Sequence, residues 1–324
     1  MSPTEAPVTR RRPTWPQLPA PVRAAVEARL GGHAVAWTSN DSGYSNGLAS
    51  VLELAGGDRV FVKAVGGEND FTRWLYREEA RRVALLPAGV PMPAFRWWAT
   101  FEDVPDGPWE VLAFDAAPGR PPRMPWLDDE LAAVVRLASR IAEHTVPEGV
   151  LPEAADELAS GLHWEALAAD PPQGLDTYDP WVAANLDRLA TVAAGAPDAA
   201  RGGSLLHGDL RGDNALVHAG AAVTDAVAVD WPGAVRGNVL CDLVGMLPSV
   251  RLEGGPEPED VLAAHPLPRD TDPQAVDAWV ALLTGYFVSA SLAPPPPGVP
   301  HVRQFQRAQA EVCVPWLRRR LREA

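Results

Sequence analysis

The single lysine of this chain stands in an apolar run that is typical of a β-strand. Of the 28 lysine and arginine residues, one is lysine, Lys63, and it lies in the run 60–65. The arginine guanidinium is a planar fork, whereas the lysine ammonium is a compact point charge that suits a narrow site. A lysine kept in so arginine-rich a chain predicts a chemical role at position 63, such as binding the phosphates of a nucleotide.

A second segment rich in reactive side chains lies far downstream. It reads HGDLRGDN over residues 207–214, and Asp230 follows the apolar run 226–229. Asp209 and Asn214 share one short loop, so Asp209 can face an acceptor hydroxyl while the Asn214 oxygen faces a metal ion. The strand-like run would bring the Asp230 carboxylate to the same metal. Phosphoryl transfer requires these parts: a cation on the phosphates, oxygen ligands for Mg²⁺ and a carboxylate near the hydroxyl.

Composition restricts the class of partner and of cellular compartment. The formal net charge is 28 − 42 = −14, which disfavours a nucleic-acid backbone as the main partner because such binding needs clustered basic residues. Two cysteines, Cys241 and Cys313, are too few for a disulfide framework, so a reducing compartment is expected. No signal peptide and no run of the roughly 20 apolar residues that a membrane span needs are found. We therefore expect a cytoplasmic protein that binds neither nucleic acid nor membrane.

The first part of the chain has the pattern of a mixed domain with an antiparallel sheet. Residues 1–20 are rich in proline and arginine and are expected to form a flexible tail. Helical spacing and short β-rich runs then alternate, with turn residues between them. The predicted elements are a helix over 21–30, strands over 34–38, 48–54 and 59–65, a helix over 71–86, and strands over 95–101 and 109–114.

The remainder of the chain is predicted to be mainly helical. Several segments combine the length of a helix with apolar residues at a 3.6-residue period. These predicted helices cover 127–144, 154–169, 180–194, 272–291 and 302–321. We therefore expect an α+β chain with one lobe over 21–114 and a second lobe over 115–324.

In these residues the chain resembles the aminoglycoside phosphotransferase family, the antibiotic-kinase branch of the protein-kinase-like fold. The segment 207–214 matches the catalytic loop of that family, Asp230 its metal-binding aspartate and Lys63 its strand lysine. Asp242 matches a further aspartate that usually has a structural role. The resemblance implies a bilobal α+β fold with an antiparallel sheet and a helix in the N-lobe and a mainly helical C-lobe.

The resemblance also implies roles for residues of the second lobe. Asp209 would be the catalytic base, and Arg211 would touch the γ-phosphate. Asn214 and Asp230 would bind Mg²⁺. Asp213 could bind a second cation or only cap a turn.

In the first lobe the resemblance implies a nucleotide site. Lys63 would contact the α- and β-phosphates and would be oriented by Glu79, with Glu78 as the alternative partner. The loop 43–47, which includes Ser45, would cover the phosphates, since its backbone N–H groups and hydroxyls can bind anions. The backbone from Asp115 to Ala117 would hold adenine as the hinge between the lobes.

The function expected from these features is ATP-dependent transfer of a phosphoryl group to a hydroxyl of a small cationic or sugar-like molecule, an antibiotic or a metabolite, by a monomer or homodimer. Two alternatives stay open: a metal-dependent hydrolase built from His207, Asp209, Asp230 and Asp242, and a nucleotide-binding pseudokinase. The acceptor pocket itself could be lined by tryptophans, although such residues more often belong to a core. These tryptophans are Trp126, Trp164, Trp181 and Trp279.

Overall fold

The computed structural model describes residues 12–40, 46–67, 69–105, 107–159, 161, 163–295 and 301–322. The chain forms two compact units. The first comprises the residues up to 85 together with 92–118, and the second comprises 86–91 and the residues from 119 onward.

The first unit is a five-stranded antiparallel sheet with two helices. The strand order is β1-β2-β3-β5-β4, so that β3, the strand of Lys63, is central. Three of the strands, β2, β3 and β4, begin and end at the residues that the sequence predicts. The elements are α1 (Ala20–Leu30), β1 (Ala34–Ser39), β2 (Leu48–Leu54), β3 (Arg59–Val65), α2 (Asp70–Val83), β4 (Phe95–Phe101) and β5 (Trp109–Asp115).

The segment before α1 is part of the core, contrary to the expectation of a flexible tail up to residue 20. Trp15 and Leu18 are 3% and 2% exposed and pack with Val22 and Val26 of α1. They cover the apolar face of the sheet, which includes Val60 and Val62 of β3. A tryptophan buries a large apolar area, which fixes a segment that its proline and arginine content alone would leave loose.

Helix α2 carries the glutamates that were considered as partners of Lys63. The side chain of Asn69 caps its N-terminus by accepting a hydrogen bond from Thr72 N at 3.4 Å. It ends at Val83, three residues before the predicted end, because Leu85 N bonds Arg82 O in a tighter turn. A buried face and a charged face place α2 against the sheet.

The second unit is mainly helical and contains two small antiparallel sheets, β6 with β9 and β7 with β8. Its elements are α3 (Asp128–Ala142), α4 (Ala154–Glu157), α5 (His163–Ala169), α6 (Pro180–Ala184), α7 (Leu186–Ala193), α8 (Ala196–Ala200), β6 (Ser204–Leu206), β7 (Ala215–Ala219), β8 (Thr224–Ala228), β9 (Val235–Gly237), α9 (Leu240–Gly245), α10 (Leu247–Leu252), α11 (Pro258–Ala264), α12 (Pro273–Leu292) and α13 (Val302–Arg320).

Two helices that were predicted to be continuous are interrupted. The predicted helix 154–169 consists of α4 and α5, with Gly161 between them. The predicted helix 180–194 is interrupted at Asn185, whose side-chain Nδ2 donates to Trp181 O at 2.7 Å. An asparagine side chain competes with the helix for backbone groups, and this local effect leaves the apolar period unchanged.

Helix α12 is the principal core helix of the second unit. It packs against α13, α5, α7 and α8. Trp164 of α5 donates its Nε1 hydrogen to Ala281 O at 2.8 Å, and a Cβ atom at Gly285 would lie 2.7 Å from Trp164 Nε1. Among the described residues, α12 alone is long and apolar enough to cross a membrane by length and composition, and half of its apolar window is buried inside the protein.

Candidate active site

Lys63 and Glu79 form a buried ion pair in the first unit. Lys63 Nζ donates to Glu79 Oε1 at 2.8 Å and to Oε2 at 2.7 Å. The two residues are 8% and 1% exposed. Glu78, the alternative partner, pairs with Arg81 instead. The ammonium also lies 5.7 Å from the centre of the Tyr76 ring, so it is held between a carboxylate and an aromatic face.

The chain enters β2 beside this ion pair through a glycine. A Cβ atom at Gly47 would lie 2.5 Å from Tyr76 Oη and 2.8 Å from Ala64 O. Only glycine allows the backbone to pass so close to the residue that follows Lys63. Ser45, predicted to cover nucleotide phosphates, lies outside the described residues.

The segment predicted as the adenine hinge follows the end of β5. Asp115 N donates to Ala94 O, and Ala116 N donates to Arg59 O. The Asp115 side chain accepts a hydrogen bond from Arg96 Nε at 2.6 Å, and Arg96 also binds Asp58. Ala117 N makes no backbone hydrogen bond within the described part of the chain, so its N–H is the one that a bound base could use.

In the second unit, the loop after β6 is anchored by a buried aspartate. Both Asp242 oxygens accept backbone hydrogen bonds, from His207 N at 2.7 Å and from Gly208 N at 3.0 Å. This agrees with the structural role that was expected for Asp242. Gly208 has φ of +80°, and a Cβ atom there would lie 2.0 Å from Gly233 O. The turn therefore requires glycine at 208.

His207 is a structural residue rather than a metal ligand. It is fully buried, and its Nε2 lies 3.0 Å from Val229 O. Since a carbonyl only accepts, Nε2 carries the hydrogen, and Nδ1 is left to accept from Asp209 N at 3.4 Å. Both ring nitrogens thus bind backbone, which fixes the path of the loop into Asp209.

Asn214 orients the predicted catalytic base. Its Nδ2 donates to Asp209 O at 2.7 Å and to Asp209 Oδ2 at 3.2 Å. Because both contacts use the amide nitrogen, Asn214 Oδ1 points away from Asp209. No hydrogen bond to that oxygen is found within the described ranges.

The pairing of β7 with β8 places Asp230 beside Asn214. Ala215 is paired with Ala228, and Val229 N donates to Asn214 O at 2.9 Å. Asp230 therefore directly follows the residue whose backbone is hydrogen-bonded to Asn214. It is exposed and has φ of +70°, a left-handed conformation that is uncommon for residues other than glycine and often marks functional sites.

The residues at this position fit a magnesium ion. The donors are an amide oxygen and a carboxylate, the hard oxygen ligands that Mg²⁺ takes from proteins, usually in small number because phosphates and water complete its shell. Within the described residues there is no group of three or more His, Cys, Asp and Glu side chains that could hold a metal. This donor set suits a phosphate-bound magnesium ion better than a metal held by the protein alone.

Arg211 lies against the predicted base. Its Nε is 3.4 Å from Asp209 Oδ1, and its Nη2 donates to Asp213 Oδ2 at 3.1 Å. The guanidinium also covers the ring of Phe305 at 5.3 Å. The arginine is thus held in place with its positive charge next to Asp209, where an incoming phosphoryl group would need it.

The surroundings raise the pKa of Asp209 to about 6. Although 57% of its side-chain surface is accessible, neighbouring protein atoms remove much of its hydration, and this is the main cause. The Arg211 charge opposes the rise, while the carboxylates of Asp213 and Asp230 add to it. A pKa near neutrality suits a group that must accept a proton from a hydroxyl.

Most of the chain matches a known family. A model of the phosphotransferase enzyme family matches residues 40–279, which include every predicted site residue. The chain belongs to the phosphotransferase enzyme family. No curated protein matches the chain.

Solved structures of other phosphotransferases share the fold. A thermostable mutant of aminoglycoside phosphotransferase APH(4)-Ia has a TM-score of 0.56 at 13% identity, over 91% of this chain and 98% of that one. Spectinomycin phosphotransferase APH(9)-Ia, in complex with ADP and spectinomycin, has a TM-score of 0.56 at 11% identity, over 90% and 97%. The complex of APH(2")-IIia with GDP and kanamycin has a TM-score of 0.58 at 15% identity, over 94% and 98%.

These comparisons confirm the α+β protein-kinase-like fold and the aminoglycoside phosphotransferase resemblance. Membership of the phosphotransferase enzyme family makes the chain a small-molecule kinase. The roles of the individual residues, by contrast, stay predictions.

One group near the loop of this phosphotransferase was not anticipated from the sequence. Glu253 follows α10, and its Oε2 accepts a hydrogen bond from Trp126 Nε1 at 3.0 Å. A Cβ atom at Gly212 would lie 2.9 Å from Trp126 Cζ2 and 3.2 Å from Glu253 Oε2. Burial, and then the charge of Asp213, raise the pKa of Glu253 to about 7. Glu253 stands in a glycine-rich segment with no motif or period, so no sequence signal could have identified it.

Three of the four tryptophans considered for the acceptor pocket are buried, and Trp126 is one of them at 7% exposure. Trp164 is 1% exposed and Trp279 is 3% exposed. Each indole N–H donates to a backbone carbonyl, of Ala281 and Cys241 respectively. Trp126 differs because its N–H binds Glu253 beside the catalytic loop.

Proposed function

We propose that this phosphotransferase transfers the γ-phosphoryl group of ATP, bound with Mg²⁺, to a hydroxyl of a small cationic or sugar-like acceptor. The observation that supports the proposal is the Asp209 carboxylate, which accepts a hydrogen bond from Asn214 Nδ2 at 3.2 Å and lies 3.4 Å from Arg211 Nε. Asp209 would accept the hydroxyl proton as the acceptor oxygen attacks the phosphorus atom.

The remaining site residues would bind the nucleotide and its charge. Lys63, fixed by Glu79, would neutralise the α- and β-phosphates. Bound by Asn214 and Asp230, Mg²⁺ would supply charge neutralisation and orientation of the phosphates. Arg211 would stabilise the charge that develops on the transferred group. The backbone N–H of Ala117 would bind the base, and Arg96 would hold Asp115 in place. Ser45 would lie in the loop that covers the phosphates.

Nucleotide use is also supported by proteins of the same fold. Spectinomycin phosphotransferase was solved with ADP, a mutant of APH(4)-Ia with AMP-PNP and hygromycin B, and APH(2")-IIia with GDP and kanamycin. Because the nucleotides differ among these proteins, an assay of this chain should compare ATP with GTP.

The hydrolase alternative is disfavoured by two hydrogen-bonding patterns. Both nitrogens of His207 bind backbone, and both oxygens of Asp242 accept backbone N–H groups. Neither side chain is left to ligate a catalytic metal. The pseudokinase alternative differs from the proposal only in turnover, so a turnover assay decides between them.

The test is a screen for ADP release from Mg-ATP in the presence of hydroxylated antibiotics and amino-sugar metabolites, with Asp209→Asn as the blank. We expect acceptor-dependent ADP release by the wild type and a loss of about 10²–10⁴-fold in Asp209→Asn, the contribution of a general base. The matched control is Asp225→Asn, which removes a β8 carboxylate that forms an ion pair with Arg140 of α3. This variant should retain activity.

A binding measurement accompanies this screen. Mg-ATP at 100 times its Kd should stabilise the wild type and Asp209→Asn alike by about 2.7 kcal/mol. A screen in which Asp209→Asn releases as much ADP as the wild type would overturn the assignment of the base. Stabilisation by Mg-ATP without turnover on any acceptor would favour the pseudokinase.

A further inference from the structure

Glu110 is a fully buried carboxylate that the proposed reaction does not use. It lies on β5 with 0% of its surface exposed. Its Oε1 accepts a hydrogen bond from Arg77 Nε at 2.6 Å, and the Arg77 guanidinium forms an ion pair with the same oxygen through Nη2, also at 2.6 Å. Its Oε2 accepts from Trp98 Nε1 at 2.8 Å and from Thr100 Oγ1 at 2.9 Å. Three hydrogen-bond donors, one from α2 and two from β4, thus converge on this one side chain.

Stability alone is a poor explanation for such a group. Removing a carboxylate from water costs several kcal/mol, and apolar side chains of the same volume often stabilise a fold as well as a buried ion pair does. What an ion pair provides beyond burial is direction, because its hydrogen bonds are satisfied in one geometry only. The three hydrogen bonds of Glu110 and its ion pair with Arg77 therefore fix where α2 lies relative to β4 and β5.

The same helix carries the partner of Lys63. Arg77 and Glu79 are two residues apart on α2, and they bind neighbouring strands: Arg77 binds Glu110 of β5, and Glu79 binds Lys63 of β3. In the sheet, Val65 of β3 is paired with Glu110. Two ion pairs, one on each of two hydrogen-bonded strands, thus hold one turn of α2 on the sheet.

We propose that Glu110 is a positioning residue: through Arg77 it holds α2 where Glu79 can bind the Lys63 ammonium with both oxygens. The consequence for catalysis rests on the proposed function, since it matters only if Lys63 binds phosphates. The structural step does not, because it concerns the geometry of Lys63 and Glu79 in the protein without nucleotide. Without Glu110, α2 would be free to shift, and Glu79 would lose its two-oxygen contact with Lys63.

The single lysine makes this step directly measurable. Protein grown with lysine labelled with ¹³C at Cε and ¹⁵N at Nζ should give one side-chain NMR signal, from Lys63. Glu79→Gln provides the reference position of that signal when the ion pair is lost. We expect the signal of Glu110→Gln to move toward this reference while the protein stays folded. Glu153→Gln, which removes an arginine–glutamate pair with Arg236 in the second unit, is the control and should leave the signal unchanged.

A Lys63 signal at its wild-type position in folded Glu110→Gln would overturn the proposal and leave Glu110 as a packing residue. If Glu110→Gln does not fold, the Lys63 signal is measured in Arg77→Leu instead, and the same shift is expected. The Arg77 side chain is 38% exposed and is therefore easier to replace. In the turnover assay both variants should lose roughly 10- to 100-fold in kcat, the effect of misplacing a catalytic group by about 1 Å. A shifted signal in a protein without phosphotransferase activity would uphold the positioning role and refute the proposed function.

Discussion

At the scale of single residues, the site depends on side chains whose hydrogen-bond partners fix them in one position. Lys63 is the clearest case, because Glu79 binds it through both oxygens and Tyr76 lies beside it. A buried ammonium is tolerated only with such a partner. We therefore expect the pair to serve the binding of nucleotide phosphates, as in the proposed function.

Lys63→Arg should keep the charge and lose the activity. The planar guanidinium is larger than the ammonium and cannot take its place between Glu79 and Tyr76. We expect kcat to fall on the order of 10²-fold, as for a catalytic group that is displaced by about 1 Å, and this is checked by steady-state kinetics with Mg-ATP. Arg59→Lys, an exposed change at the start of the same strand, is the matched control. Unchanged turnover in Lys63→Arg would show that Lys63 needs only its charge.

At the scale of elements, the strands of the first unit followed from the sequence, whereas several helices and the strands β6, β7 and β9 of the second unit did not. The limits of β2, β3 and β4 agree with prediction because short β-rich runs end at strong turn residues such as those at 56–58. The prediction of one continuous helix over 180–194 was wrong. The hydrogen bond from the Asn185 side chain to Trp181 O interrupts the helix although the apolar period continues.

The site shows the same division between local and long-range information. The pairing of Lys63 with Glu79 was predicted because the resemblance singles out these residues in neighbouring elements. The roles of Glu253 and Glu110 were not predicted, since each depends on contacts with residues distant in sequence, such as Trp126 and Arg77. A single sequence carries no signal for contacts of that kind.

The turn between β6 and the catalytic loop should tolerate no side chain at position 208. Gly208→Ala would combine a left-handed backbone, roughly 1–2 kcal/mol, with a clash against Gly233 O that adds roughly 1–3 kcal/mol. Gly149→Ala is the control, because Gly149 has φ of +78° but no atom within 4 Å of an added Cβ. Urea unfolding should show the larger loss for Gly208→Ala, together with reduced turnover. Equal losses in the two variants would show that only the backbone conformation matters at 208.

At the scale of the whole molecule, the surplus of acidic residues includes carboxyls that are hard to ionise. Burial raises the pKa of Asp242 to about 6, although the N–H groups of His207 and Gly208 oppose the rise. Burial and the charge of Asp213 raise the pKa of Glu253 to about 7. Both values exceed those of an unfolded chain, so ionising these groups costs folding free energy.

The stability of the protein should therefore increase when the solution is made mildly acidic. As pH falls from about 8 to about 5, the folded state binds protons at Glu253 and Asp242 before the unfolded state does, and the free energy of unfolding rises. Below about pH 4 the trend should reverse, because groups such as Glu130, whose pKa is lowered by the Arg120 bond, lose their ion pairs. Thermal unfolding across this range measures the effect.

Glu253→Gln separates the two contributions to this pH dependence. The variant should have a higher Tm than the wild type at pH 8, because it removes a carboxylate that is costly to ionise there, and a flatter profile between about pH 8 and 6. Asp225→Asn, at a half-exposed ion pair, should leave the profile unchanged. A wild-type Tm that falls steadily from pH 8 downward would contradict the assignment.

Because arginine supplies all but one of the basic residues, the single lysine can be used to detect unfolding of the first unit. A protease that cleaves only after lysine has one target in the entire chain, the peptide bond that follows residue 63, and this bond lies in the middle strand of the five-stranded sheet. Digestion must wait until that sheet comes apart, and it then yields two fragments. The rate at which they form reports the opening of the first unit and does not respond to an opening of the second unit alone.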